Sequence, residues 1–248
     1  MLAKLIHANG TVGYRSSSLA AQGAPHLFTT RVGAHGAELD LGRLDETARE
    51  SLCELAGFAP HTPFVSVAQV HGARVHEVDA HRPPARAEGD ALVSSETARA
   101  LLVYSADCVP VLISSANGRR VAAVHAGWRG LIAGAIPAAI AALGEAPAAA
   151  AIGPCLSLER CEMGPEVAEL FERADLGEVV WRRPGHRPHV DLRAAARLQL
   201  ERAGCRAIDV SELCTWRDAD QLPSHRRDVT HGGAARAGRI GALIACAR

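Results

Sequence analysis

An α+β fold with mixed β-sheets is predicted by three observations. Strand-length apolar runs come in adjacent pairs, turn dipeptides sit between neighbouring runs, and helices interrupt the pairs instead of alternating with single strands. A doubly wound parallel sheet, which needs strict βαβ cycling, is the weaker match. In chain order, Glu46–Ala56 reads as a helix. Phe64–Val70 and Arg74–Val78 are rich in β-branched residues, and His71-Gly72 between them predicts a hairpin. Leu101–Ser105, Val109–Ser114 and Val121–His125 are continuous apolar runs of the kind buried on both faces, and Asn117-Gly118 is a hairpin turn signal. Helices follow at Trp128–Leu143, at Pro165–Arg173 with Pro165 in the first turn, and at Leu192–Ala203 with Asp191 as N-cap. Ile208–Val210 and Ile240–Ala245 add late strands. Trp181–His189 reads as an exposed loop and Arg217–Gly238 as an irregular stretch, but strand-like segments follow both. Residues 1–248 are therefore taken as a single domain.

Composition bounds the function. The 248 residues include 27 basic and 27 acidic side chains, so no net positive charge is present to drive non-specific nucleic-acid binding. A small charged substrate is compatible with that balance. Lys4 is the only lysine, which argues against Schiff-base chemistry. The seven cysteines are odd in number and spread from Cys53 to Cys246, a usage that fits a reducing compartment. Met1–Gly10 lacks the apolar core of a signal peptide, and no window reaches the roughly 18 apolar residues of a spanning helix. A cytoplasmic protein with no membrane partner is the expectation.

Three residues fall where predicted strands end: His71, Cys108 and His125. Two imidazoles and a thiolate make a zinc set with a fourth position left for water or substrate. On spacing alone, a turn-capping His71, a buried hydrophobic Cys108 and a core His125 are the favoured reading, because the three lie far apart and lack the close pairing of a zinc-finger pattern. Gly127 and Gly130 flank Trp128 and Arg129 at a predicted helix start, where backbone N–H groups and a guanidinium would suit phosphate. Close strand-to-helix packing is the other explanation of those glycines. Cys155 and Cys161 match no zinc spacing and read as buried structural thiols. Ser224-His225-Arg226-Arg227-Asp228 is either a solvated turn or a basic loop that closes over an anion.

The ordered set Phe28-Thr29-Thr30-Arg31, Gln69-Val70-His71-Gly72, Ala106-Asp107-Cys108-Val109-Pro110-Val111, Val124-His125-Ala126-Gly127-Trp128-Arg129-Gly130, Ile152-Gly153-Pro154-Cys155, Glu162-Met163-Gly164, Cys214-Thr215 and Ser224-His225-Arg226-Arg227-Asp228 runs through nearly the whole chain. It resembles the multicopper polyphenol oxidoreductase or laccase-domain family, the YfiH-like proteins, which are also described as purine nucleoside phosphorylases. The resemblance implies an α/β sandwich with two mixed sheets between helices, similar to the catalytic domain of a deamidating bacterial toxin. It implies a monomer or weak homodimer that binds zinc and cleaves adenosine, inosine, guanosine or methylthioadenosine with phosphate, and that deaminates adenosine. His71, Cys108 and His125 would form the metal and catalytic centre, and Asp107 would orient a ligand or take a proton. Phosphate would lie against Arg129 and the amides near Gly127, with Arg31 or Arg226. Two rival activities remain: copper-dependent oxidation of polyphenols, and a hydrolase with Cys108 as nucleophile activated by His125 or His71, acting in peptidoglycan precursor editing. Multicopper oxidation needs more clustered His ligands than these.

The chain departs from the family pattern at the substrate rim. Val32-Gly33-Ala34-His35 replaces the usual Gly-Gly-Val-Ser, the Gly-Asp-Asp segment is missing, and Asp40 stands where Asn is usual. Leu222-Pro223 replaces the usual aromatic residues, and Thr230-His231-Gly232-Gly233 replaces Thr-Gly-Arg, so that Arg is lost or displaced to Arg236.

Overall fold

The computed structural model describes residues 1–79, 87–235 and 237–247. Its first sheet contains β1 (Leu2–Ile6), β2 (Val12–Ser16), β3 (His26–Thr29), β4 (Phe64–Val65), β7 (Ala100–Ser105) and β14 (Ile240–Ile244), in the spatial order β1-β2-β3-β14-β7-β4. Its second contains β5 (Val75–Val78), β6 (Ala91–Ser94), β8 (Val109–Ser115), β9 (Val121–Ala126), β10 (Pro147–Ile152) and β13 (Ala207–Val210), in the order β13-β10-β8-β9-β6-β5. Both sheets are mixed: β4 runs parallel to β7, β5 to β6 and β10 to β13, while the other pairings are antiparallel.

Alternation along the middle strands explains their continuous apolar runs. Val111, Ile113, Ala122, Val124, Ala150 and Ile152 face a core shared with helices α3 (Trp128–Ile132), α4 (Ala135–Leu143), α5 (Pro165–Arg173) and α6 (Leu192–Arg202). Leu112, Val121, Ala123, Ala149 and Ala151 face the other way, onto Phe28, Leu101, Val103, Ala242 and Ile244 of the first sheet. The first sheet's far side is covered by α2 (Glu46–Ala56) through Leu52 and Leu55 against Leu27, while α1 (Ser17–Ala21) follows β2. The result is helix, sheet, sheet, helix: the expected α+β sandwich. The expected caps are in place, with the Asp191 carboxylate accepting from the Ala194 N–H at 2.9 Å and Pro165 opening its helix.

Four expectations are corrected. The hairpin over residues 64–78 does not form, because β4 pairs with β7 in one sheet and β5 with β6 in the other. The connection therefore crosses between the layers. It is tied to the first sheet by the Gln69 side chain, whose amide donates to Tyr104 O at 2.8 Å and whose oxygen accepts from Tyr104 N at 2.7 Å. The helix expected over Trp128–Leu143 breaks into α3 and α4 at Gly134, whose φ of 77° is left-handed. The Trp181–His189 loop is the tip of a small ribbon formed by β11 (Val180–Trp181) and β12 (His189–Val190). Residues 226–231, inside the stretch expected to be irregular, form a short π-helix.

His26, wholly buried at the start of β3, makes the fold acid-sensitive. Its Nε2 accepts from the Ser16 N–H at 2.8 Å, so Nδ1 carries the proton and donates to Ala24 O at 2.7 Å. Burial above all, together with the nearby Arg15 charge, pushes its pKa down to about 4. The unfolded chain, with a pKa near 6.5, binds the extra proton first, so this contribution is complete above pH 6.5 and is lost as pH falls towards 4. The expected loss is about 3 kcal/mol across that window. Urea unfolding of the wild type and of His26→Gln from pH 7 to 4 checks it: the wild type should lose stability more steeply, and parallel curves would refute the assignment.

Candidate metal centre

The site begins with strand register. Pairing of Ala91 with Val124, continued by one residue, sets Asp90 opposite His125, and the His125 N–H donates to Asp90 O at 2.7 Å. The two side chains then share one face of the sheet. Asp90 has no solvent exposure, and its Oδ1 accepts from His125 Nδ1 at 2.8 Å and from the His71 N–H at 2.8 Å. Its Oδ2 accepts from the Gly72 N–H at 2.6 Å and the Val70 N–H at 3.3 Å. One carboxylate thus fixes the crossing loop and the tautomer of His125, leaving His125 Nε2 as the free ring nitrogen. Burial works to raise the Asp90 pKa, but the bonds from His125, Gly72 and His71 hold it below the usual range.

His71 sits in the crossing loop at φ 62°, a conformation that Asp90 holds through three successive N–H groups, those of Val70, His71 and Gly72. Its ring meets that of His125 edge to face with centroids 4.9 Å apart. Burial, then the neighbouring His125, Arg129 and Arg239, pushes the His71 pKa down, and this favours the neutral imidazole that a metal requires. Cys108 precedes β8, whose first residue Val109 pairs with Ala126 at the end of β9. A ligand nitrogen of His71, the Cys108 Sγ and a ligand nitrogen of His125 all lie within 4.8 Å of one another. Tetrahedral zinc would hold them about 3.4–3.6 Å apart, so the adjustment needed is at most about 1.4 Å. A Cβ at Gly127 would come within 3.0 Å of both Cys108 Sγ and His71 Cδ2, so glycine leaves room for this arrangement. The donor set, the locked tautomer and the cleared space all fit a zinc-type ion with an open position.

Burial first, then Asp107, Cys155 and Asp90, pushes the Cys108 pKa up to about 12. A thiol in that environment is a poor nucleophile by itself, whereas a cation among these three ligands would release its proton.

The other expected site residues divide. Arg129 is exposed, its guanidinium carbon 4.1 Å from the Trp128 ring centroid, and its charge reaches His71. Arg31 is engaged by Glu38 at 2.6 Å and Ala219 O at 3.4 Å. Arg226 holds a neighbouring loop through Arg160 O at 2.7 Å and Glu162 O at 2.9 Å. Asp107, at φ 88°, accepts from Thr215 Oγ1 and from the Arg226 N–H, both at 2.6 Å. The orienting carboxylate behind His125 is therefore Asp90, not Asp107. Cys155 and Cys161 are buried and free, as expected of structural thiols.

Sequence reasoning missed two residues. Asp90 was signalled only by an acid at the head of an apolar run, Ala91–Ser94. Arg239 lies just before β14, whose Ile240 pairs with Ser105, and its charge also reaches His71. Arg236, the residue to which the family's arginine was expected to be displaced, lies outside the described residues.

Residues 37–247 match the family model described as multi-copper polyphenol oxidoreductase laccase. A purine nucleoside phosphorylase of Deinococcus radiodurans is 36% identical over 239 residues, 90% of each chain. One from Streptomyces coelicolor is 39% identical over 234 residues, 85% of this chain and 93% of its own. Among solved structures, YlmD from Geobacillus stearothermophilus superposes with a TM-score of 0.81 at 28% identity, covering 100% of both chains.

Asp90→Asn keeps the size of the anchor but removes its charge and one acceptor. It is expected to weaken Zn²⁺ binding about 10- to 100-fold in competition with a chromophoric chelator. Unchanged affinity in a folded variant would show that Asp90 does not support the ligands.

Proposed function

The chain belongs to the multi-copper polyphenol oxidoreductase laccase family, and we propose that it is a zinc-dependent purine nucleoside phosphorylase. Its substrates would be adenosine, inosine, guanosine or methylthioadenosine with phosphate, and adenosine deamination would use the same pocket. The observation that carries this reading is the convergence of His71, Cys108 and His125 around Asp90, with the charges of Arg129 and Arg239 at the edge. Relatives named purine nucleoside phosphorylase support it.

Zinc held by His71, Cys108 and His125 Nε2 would supply Lewis acidity towards a substrate oxygen. Asp90 keeps His125 presenting that nitrogen and holds the loop that carries His71. Arg129 and Arg239, with amides near Gly127, would bind phosphate so that one of its oxygens faces C1′ of the ribose. A C1′–O bond forms as the C1′–N9 bond breaks, and the purine leaves with the bonding pair and takes up a proton. Asp107, next to Cys108 and steadied by Thr215 and Arg226, is the carboxylate proposed for that proton traffic. Arg31 and Arg226, already engaged by protein acceptors, would shape the phosphate rim.

The rival activities have less support. Copper oxidation of polyphenols would have three convergent ligands at this site among the described residues, and the elevated Cys108 pKa counts against a cysteine hydrolase in peptidoglycan precursor editing. We also propose a cytoplasmic monomer or weak homodimer with no nucleic-acid or membrane partner. All seven cysteines are free, and among the described residues no helix is long and apolar enough to cross a membrane.

Zinc-loaded protein given inosine and phosphate should release hypoxanthine and ribose 1-phosphate, and Cys108→Ala or chelation should cut turnover at least about 100-fold. Turnover that survives chelation refutes the zinc mechanism, and no product beside an active control phosphorylase refutes the activity. Arg129→Met should raise the KM for phosphate about tenfold with little change in that for inosine. An equal rise for both substrates would remove Arg129 from the phosphate site.

A further inference from the structure

A second cavity, of about 290 Å³, lies at the opposite end of the first sheet from the metal centre. Arg239 and Ser105 mark the start of β14 beside the metal residues, whereas Ala245 and Cys246, past its end, line this cavity. The five-residue strand separates the two by about 17 Å. The walls are mostly apolar, with Pro25, Phe58, Ala59 and Ala245 prominent among them, and the lining contains no acidic residue.

Arg15, from β2, is the one charged residue in that lining. Its Nε is buried without a hydrogen-bond partner, and no hydrogen bond or ion pair is found for its terminal nitrogens among the described residues. The end of α2 is close, since a Cβ at Gly57 would lie 3.8 Å from one terminal nitrogen of Arg15 and 3.9 Å from the other. The helix's negative end offers partial compensation only. An arginine does not escape this cost by losing its proton. Several other arginines of the chain do meet Glu or Asp: Arg120 meets Glu77, Arg182 meets Glu172, and Arg197 meets Glu201.

We infer that this cavity is a second binding site, for a small organic anion whose carboxylate or phosphate pairs with Arg15 while an apolar body, up to one aromatic ring, packs against Phe58 and Pro25. The anion answers the unpaired donors, and the apolar walls answer the body. Inorganic anions alone would leave those walls wet. The site is independent of the reaction proposed above.

The test uses the full chain with ¹⁵N-labelled arginine. The Arg15 Nε–H resonance is followed during titration with benzoate, with phenyl phosphate, and with neutral benzamide of the same shape. Benzoate or phenyl phosphate should shift that resonance saturably, and whichever binds more tightly identifies the acid group. Benzamide should bind at least about tenfold more weakly, as loss of a charge-assisted pair requires. Binding by calorimetry should vanish in Arg15→Met and also in Ala59→Phe, which fills the cavity and keeps the charge. Benzoate and phenyl phosphate that both fail to bind, anion binding that survives Arg15→Met, or benzamide as tight as benzoate would each overturn the inference.

Discussion

A carboxylate removed from water must have its charge met by the protein around it. Asp90 is met four times, by three successive backbone N–H groups of the crossing loop and by the ring of His125. Those partners come from two structural contexts, a β-strand and an irregular connection. Neither would hold its position unaided. The strand supplies His125 with a fixed backbone but leaves its ring free to turn, and the loop supplies His71 in a conformation that most residues avoid. A single buried acid settles both, and the geometry of the metal centre follows from it.

The fold was largely legible because its middle strands are buried on both faces. Val109–Ser115 and Val121–Ala126 read as continuous apolar runs for the reason that one set of side chains faces the helices and the other faces the first sheet. β10 was harder to see. Its Ala-rich sequence has little intrinsic strand preference, and its neighbours hold it in place. β1 is an edge strand with several exposed positions, so it lacks an apolar signature. The mistaken hairpin at residues 64–78 has a more general cause. Two strand-like runs joined by a turn dipeptide look alike whether they pair with each other or part into different sheets, because the decision rests on distant partners such as Ala100 and Ala91.

The candidate site was legible in its ligands but not in its support. His71, Cys108 and His125 offer ligand atoms in their own side chains, and their place at strand ends can point to them. Asp90 acts through its position opposite His125, a fact of register that appears only when β6 and β9 are aligned. Arg239 belongs to none of the motifs read from the sequence, and its nearness to the site comes from the pairing of β14 with β7. The balanced total of 27 basic and 27 acidic residues is compatible with this local excess of guanidinium charge, since a number of arginines elsewhere meet acidic neighbours.

The position of β14 has a consequence for how the protein is made. Residues 240–244 fill the gap between β3 and β7, two strands that leave the ribosome far earlier. Until that last segment emerges, each of those strands presents an open edge, the kind that invites association with other nascent chains. The first layer closes, and Arg239 arrives beside His71, in the same late event. Termination before residue 239 would therefore leave both edges open and would also remove the Arg239 charge from the candidate site.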